Sequence, residues 1–421
     1  VSTGDLSIDG ARLFASLEEL GRVGAFADDA TGLTGVRRLA LSAEDGEARR
    51  RVRVWMEELG LEVSIDAIGN LYGRRRGYLD DEAPVVMGSH IDSVATGGRF
   101  DGALGVLAGL EVVRTLGEHG VATRRPLIVG VFTEEEGCRF GTDMLGSAVA
   151  VGRVGLDEAY ELTDSQGLCV RDELQHIGFL GEAAPEALRP HAYLELHIEQ
   201  GPTLAREGYE LGVVDKVQAI SWFELVIVGR AAHAGTTPLS YRADAGLAAS
   251  KLNLRLREMA QGGQYGELRA TMGVLRPEPN LVNVIPGRLR GSIDLRNPMD
   301  EALEAAEGAL HDLVEEIERD DGVEVRLRQT ARTRVVPFAV SLRERIAGAA
   351  TARGLRHRCL HSGAGHDAQE WASVCQAGMI FVPGEHDGIS HNPREFSTPE
   401  QCAAGGNVLL DVALDLAQED A

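Results

Sequence analysis

Three short apolar runs in this chain each end in histidine or carboxylate, and that repetition narrows the folds open to it. "APVVMGSH" leads into the glycine-rich loop "GSHIDSVATGGRFDGALGV", residues 88–106. "RPLIVGVFTEEEG" stops at three glutamates, and "LELHIEQG" stops at a histidine and a glutamate. Short apolar runs closed by turn residues read as buried strands. After the first comes "GALGVLAGLEVVRTLGEHG", a helix with a small-residue face, and then the second strand. Strand, loop, helix, strand is the pattern of an α/β sheet with parallel strands. Ligands bind such sheets beyond the carboxyl ends of the strands. The polar clusters at 90–101 and 134–136 fall there.

The rest of the chain divides around these runs. Residues 10–21 and 44–59 have helical periodicity, and "LEVSIDAIGNLYGRR" reads as two strands around a turn. The character changes near residue 213. A strand in "VQAISWFELVIVGRAAHAG", a helix over 241–262, two strands in "RATMGVLRPEPNLVNVIPGRLRGSIDLR", a helix over 300–318 and the strand "VEVRLRQTAR" follow. That β-α-β-β-α-β order is the ferredoxin-like unit. From about 333 the α/β character returns. The expected organisation is a discontinuous α/β domain, 1–212 with 333–421, carrying an inserted α+β domain, 213–332. The length of 421 residues also exceeds what one core usually holds.

Charge and composition exclude whole classes of partner. The net charge is −23, a field that repels nucleic acid and anionic membrane surfaces. No stretch reaches the roughly 18 apolar residues of a membrane span. The opening "VSTGDLSIDGARLF" has neither the basic nor the apolar region of a signal peptide. Five scattered cysteines without a CxxC pair suit a reducing compartment, so a cytoplasmic protein is expected.

Five side chains can make a two-metal site: His90, Asp101, Glu136, His197 and His391. Zinc-like ions take imidazole nitrogen and carboxylate oxygen. Two adjacent cations need a bridging group, which a carboxylate can be and an imidazole cannot, so Asp101 is the natural bridge. Asp92, two residues after His90, can accept the second imidazole N–H and fix the tautomer. In the glutamate triplet, Glu136 is assigned as ligand and Glu135 as general base, with Glu134 structural or solvent-facing. Taken singly, each piece has a bland reading: a hydrogen-bonded pair, a solvated acidic face, a core histidine, an Asn-Pro turn in "SHNP". Taken together they favour a site, because each cluster ends an apolar strand-like run.

Seven spaced motifs carry a family resemblance. They are "GSHIDSVATGGRFDGALGV", "FTEEEGCRFGTDMLGS", "LELHIEQGPTL", "AAHAGTTPLSYRADA", "NLVNVIPGRLRGSIDLR", "SGAGHDAQ" and "DGISHNPREFS". In this order they resemble the amidase, hydantoinase and carbamoylase branch of the M20 di-metal hydrolase superfamily. The resemblance implies a di-metal peptidase-like α/β catalytic domain with an inserted lid and dimerisation domain. It implies two metal ions on His90, Asp101, Glu136, His197 and His391, with Glu135 as base. Zinc is expected first, and the donor set also accepts manganese, cobalt or nickel. It implies that His233 stabilises the oxyanion in the partner subunit's site of a homodimer, and that Asn283 and Arg296 grip a substrate carboxylate. Gln200 and His366 line the same pocket. A bidentate Arg suits a carboxylate, and Asn283 and Arg296 are expected to converge on it. Cys138 stands where serine is usual, and a packing role is expected.

The activity implied is hydrolysis of N-carbamoyl-L-amino acids to amino acid, carbon dioxide and ammonia. Allantoate and N-carbamoyl-β-alanine, both small ureido acids, remain open as alternative substrates. An aminoacylase or peptidase, or a binding module without turnover, ranks below these.

Overall fold

The computed structural model describes residues 6–420, so the first five residues of the segment read as lacking a signal peptide lie outside the description. The chain divides into two units, one of residues up to 215 and from 337, the other of 216–336. The first holds a nine-stranded sheet. At its centre, Gln376–Val382, Ala192–Ile198, Val85–His90 and Leu127–Phe132 run parallel in that order. The last three are buried along their whole length. Unbroken apolar runs, rather than alternation, are what covering both faces requires.

The sheet is parallel only in this centre. Leu71–Arg75 and Glu62–Ile65 add antiparallel at one side, and Leu211–Val217 adds antiparallel at the other. The parallel strands expected from the sequence form this centre, and the antiparallel edge at 62–75 has a local reason. A hairpin as short as 62–75 can only pair antiparallel, because a parallel return needs a crossover.

Helices cover one face. Gly10–Leu20, Ala103–Glu118, Val340–Ala352 and Pro399–Gln418 bury residues such as Leu13, Leu17, Val106 and Leu409 against Met87, Val129, Leu194 and Ile380. Thr398 starts the last of these with a reciprocal cap, its hydroxyl receiving Gln401 N–H while the Gln401 side chain receives Thr398 N–H. Two strand residues and the last residue of the helix Asp367–Trp371 make an aromatic layer. Phe132, Tyr193 and Trp371 pack with ring centroids 5.8–5.9 Å apart. Short helices at Leu145–Ala150, Leu156–Glu161 and Val170–Ile177 form a further apolar cluster with Leu41, Ile68 and Phe179.

The second unit is a sheet flanked by two helices. Arg288–Asn297 pairs antiparallel with Ala219–Val228, which pairs with Glu324–Thr333. Arg269–Thr271 and Leu275–Glu278 both add to the other edge of Arg288–Asn297. With helices Ala245–Gln261 and Asp300–Asp321, the order and pairing are ferredoxin-like. The region read as two strands is four pieces, since Val284–Ile285 breaks away to pair with Ala232–His233. No helix among the described residues is long and apolar enough to cross a membrane.

Candidate metal centre and active site

Strand register brings the first candidate ligands together. Met87 stands beside Leu194, three residues before His90 on one strand and three before His197 on the next. Phe132 stands beside His90, so the Glu134–Glu136 loop leaves the sheet at the same end. The loop after His90 returns to start the Ala103–Glu118 helix, with Asp101 two residues before it. Gly102 between them has a φ of +63°, and any side chain there would collide with the His90 ring. Both demands require glycine.

Asp101 is the centre of the arrangement. Its Oδ1 lies 3.5 Å from His90 Nε2 and 3.3 Å from His197 Nε2. Its Oδ2 lies 3.6 Å from His391 Nε2, which is 3.3 Å from Glu136 Oε2. Ligand atoms of His90, Asp101 and His197 all lie within 4.8 Å of one another, as do those of Asp101, Glu136 and His391. The two triads share Asp101, one carboxylate oxygen facing each. His90 Nε2 is buried with no hydrogen-bond partner, an arrangement that a cation resolves. The donors are imidazole and carboxylate, so the residues fit a metal site.

A third group, Glu195, His197 and His366, is equally tight. Its carboxylate is already engaged, however. Glu195 accepts Ser89 Oγ–H at 2.7 Å and Ala368 N–H at 2.8 Å.

The electrostatics tell the same story. Burial alone would lower the His90 pKa, but Glu135, Asp101 and Asp92 outweigh it and hold the imidazole well above its usual value. Glu136 holds His391 up at about 9. Burial would raise Asp101, yet His197 and His90 keep it well below the usual carboxylate range. Burial pushes Glu135 well above that range, with Asp367, Glu136 and Asp92 adding to the effect against His90. Crowded, buried carboxylates of this kind repel one another, and a divalent cation relieves the repulsion.

Glu135 is buried, with Oε2 3.4 Å from His90 Nε2. A buried carboxylate held this close to a candidate ligand nitrogen is placed to carry a proton. Asp92 acts differently from expectation. The partner of His90 Nδ1 is the Asp92 main-chain oxygen at 3.0 Å, while the carboxylate lies 3.6 Å away. That carboxylate instead receives Glu135 N–H and Glu136 N–H, at 3.4 and 3.3 Å, and so holds the glutamate loop. Glu134 is buried rather than solvent-facing, its Oε1 accepting Arg139 N–H and Phe140 N–H. Glu134, Gln200 and His391 all have φ between +52° and +56°. Left-handed backbone at non-glycine residues is rare, and it concentrates at functional sites.

The other expected residues fall into two places. Gln200 donates to Asp101 Oδ2 at 2.7 Å, and the His366 ring lies 4.6 Å from that of His197. Cys138, expected to serve packing, is exposed and belongs to none of the three groups. In the second unit, His233 and Asn283 are neighbours: Ala234 N–H bonds the Asn283 carbonyl, and His233 pairs with Val284. Both are exposed. His233 Nδ1 accepts N–H from Gly235 and Thr236, at 3.0 and 3.2 Å, which leaves the ring proton on Nε2. Arg296 does not join them. It pairs with Ile220 near one end of its strand, whereas Arg288, at the end next to the 281–287 loop, pairs with Val228. Eight residues of extended chain separate Arg288 from Arg296, about 26 Å. Within one chain, Asn283 and Arg296 therefore do not converge.

Three residues near the centre were not foreseen. Glu395 and Ser390 lie in "GISHNPREFS", where proximity to His391 was the available signal; both contact Asp101. Arg38 is fully buried and donates to the carbonyl of Ile91, between His90 and Asp92, at 2.6 Å. Nothing in "GVRRLA" marks it out.

Comparison with known proteins agrees with this geometry. The model of peptidase family M20/M25/M40 matches residues 86–415. An N-carbamoyl-L-amino-acid amidohydrolase of Rhizobium meliloti is 38% identical over 98% of this chain and 97% of its own. An allantoate amidohydrolase of Bacillus subtilis is 35% identical over 95% of this chain and 96% of its own. A crystal structure of an amidase of the hydantoinase/carbamoylase family from Burkholderia multivorans has a TM-score of 0.92 at 42% identity, covering 99% of this chain and 100% of that one. The chain belongs to peptidase family M20/M25/M40.

Proposed function

We propose that this protein hydrolyses the carbamoyl C–N bond of N-carbamoyl-L-amino acids, releasing amino acid, carbon dioxide and ammonia. The observation that carries the reading is Asp101, shared between two ligand triads with Glu135 buried beside one of them. Full-length similarity to a carbamoyl-amino-acid amidohydrolase supports the substrate class.

Two divalent cations are assigned, one to His90, Asp101 and His197, the other to Asp101, Glu136 and His391. When bound, they lower the pKa of water and polarise a carbonyl. Glu135 takes the proton of the attacking water and returns it to the leaving nitrogen. The Nε2–H of a His233 donates to the developing oxyanion. Asn283 and Arg296 hold the substrate carboxylate. Asn283 lies beyond the Arg288 end of the strand Arg288–Asn297 and Arg296 near its other end, so a single small substrate meets both when two copies contribute. His233 and Asn283 then come from one chain and Arg296 from the other, in a homodimer. Leu281 and Val282 beside Asn283, with Leu239 and Tyr241 shortly after His233 in sequence, are exposed apolar residues suited to such an interface. The inserted unit would act as lid and dimerisation domain, and five free cysteines favour a cytoplasmic location.

Allantoate is the second reading, favoured by the Bacillus subtilis relative. The test is ammonia release by purified protein, stripped and reloaded with zinc, manganese or cobalt. The panel is N-carbamoyl-L- and D-amino acids, N-carbamoyl-β-alanine, allantoate and N-acyl amino acids, with free amino acid measured for the last. Metal-dependent turnover of the L-carbamoyl compounds is expected. Turnover of allantoate alone replaces the substrate, and turnover of N-acyl compounds alone replaces the reaction class.

A further inference from the structure

Asp101 and His391 come from loops nearly three hundred residues apart in sequence, yet they must hold one geometry for two triads. The loops 96–101 and 390–396 are fastened together over their whole length. Thr96 Oγ1 donates to the His391 carbonyl at 3.3 Å. Phe100 and Phe396 meet edge to face with centroids 5.6 Å apart, and Phe14 packs on both. Between these contacts lies one buried carboxylate, Glu395. Its Oε1 accepts the main-chain N–H of Phe100 at 2.9 Å and of Asp101 at 3.1 Å. Its Oε2 lies 2.8 Å from Ser390 Oγ, which is 2.6 Å from Asp101 Oδ2. A side chain at Gly98 would collide with Glu395, so the first loop is shaped around it.

We propose that Glu395 is a positioning residue for the metal centre. It holds Asp101 by its backbone directly, and it sets the place of Ser390, whose hydroxyl lies against Asp101 Oδ2 with one proton for the two carboxylates. The consequence follows from what Asp101 does. Each of its oxygens faces a different triad, so a rotation that improves one triad spoils the other. Fixing the backbone N–H sets where the side chain starts, and fixing Oδ2 sets how it is turned. Gln200 adds a second donor to Oδ2 but does not touch the main chain of Asp101. Among the described contacts, Glu395 alone links the Asp101 backbone to the segment that carries His391. Partners of metal ligands typically control affinity by about 10–100-fold.

The proposal rests on the metal reading given above, and the test separates the two. Metal-free wild type, Glu395→Ala, Glu395→Gln and Ser390→Ala are titrated calorimetrically with Mn²⁺ and with Zn²⁺, and the thermal unfolding of each metal-free form is recorded. Glu395→Ala should weaken every binding step by about 10–100-fold, because both triads share Asp101. Glu395→Gln should stay close to wild type, since its amide oxygen still accepts both N–H groups and its NH₂ can donate to Ser390. Ser390→Ala should weaken binding by a smaller factor, and it gives the answer if Glu395→Ala does not fold.

Wild-type affinity in both Glu395→Ala and Ser390→Ala overturns the proposal, even if Glu395→Ala melts earlier. That result would make Glu395 only a fold contact. A Glu395→Gln variant as weak as Glu395→Ala also overturns it, because charge rather than geometry would then matter. A wild-type chain that binds neither metal overturns the metal reading itself, and this proposal with it.

Discussion

The two units place their candidate functional residues in opposite settings. In the first, the candidate ligands and base are buried, cross-braced and assembled by strand register: His90 and Glu135 are almost wholly inaccessible, and of the group only His391 is half exposed. In the second, His233 and Asn283 stand exposed on a small two-stranded ribbon, and Arg296 lies a strand's length away. The contrast separates two tasks. Holding cations needs a rigid, water-poor setting, where fixed groups act strongly. Gripping a substrate that must enter and leave needs groups that become complete only when surfaces meet. The first unit is therefore expected to control chemistry, and the second to control recognition and oxyanion contact.

The widest separation should come from metal removal. A chelator is expected to abolish turnover entirely, and zinc, manganese or cobalt to restore it. Metal at about 100 times its Kd adds about 2.7 kcal/mol to the stability of the unit that binds it. Hydrogen exchange should then slow around Val85–His90 and Ala192–Ile198 and stay unchanged in Arg288–Asn297. Protection rising equally in both units would erase the comparison. Next comes Glu135→Gln, expected to lower kcat by about 10²–10⁴-fold. Metal content measured by mass spectrometry should not change, because Glu135 belongs to neither triad. Loss of metal along with activity would make it a ligand instead.

His233→Ala sharpens the contrast from the other side. A kcat loss of about 10²–10³-fold is expected, the size of removing one oxyanion donor. The melting temperature should hold, since the side chain is exposed. Mixing decides where the donor acts. If His233 serves the partner subunit's site, Glu135→Gln and His233→Ala chains, each inactive alone, should form mixed dimers with one working site. If it serves its own site, no mixture recovers activity.

The buried unit was the more legible of the two, for a physical reason. A metal ligand must be His, Asp, Glu or Cys at the end of a strand, so residue type and position both signal it. All five expected ligands fall into the two Asp101 triads. What supports them is invisible in sequence. Glu395 and Arg38 act on main-chain N–H and C=O groups, which every residue carries, so no pattern announces their partners. The same limit explains Asp92, whose residue type suggested an imidazole partner but whose carboxylate holds backbone. It also explains Asn283 and Arg296. Adjacent strands suggest proximity, yet the register that carries Arg296 away from the Asn283 end of its strand is set by pairing with Ala219–Val228, far away in sequence. The helices over 145–177 went unread because runs of six to eight residues are too short for periodicity to register.

Arg296 gives the smallest expected effect and the finest discrimination. Its guanidinium meets Asp294, two residues back on the same strand, at 2.8 Å from Nη2 and 3.0 Å from Nε. Both side chains are about a quarter exposed. Two accounts fit that geometry. Either Asp294 orients the fork toward a substrate carboxylate, or the two form a surface pair of little energetic value. Arg296→Lys keeps the charge and loses the bidentate fork. On the first account KM rises about tenfold, the cost of one charged hydrogen bond near 1.5 kcal/mol, and kcat changes little. Asp294→Asn should then raise KM in the same direction, because the fork loses its guide. On the second account neither substitution moves KM. The carboxylate grip would then belong to Asn283 and to residues at that same end of the strand, and one copy would suffice to hold the substrate.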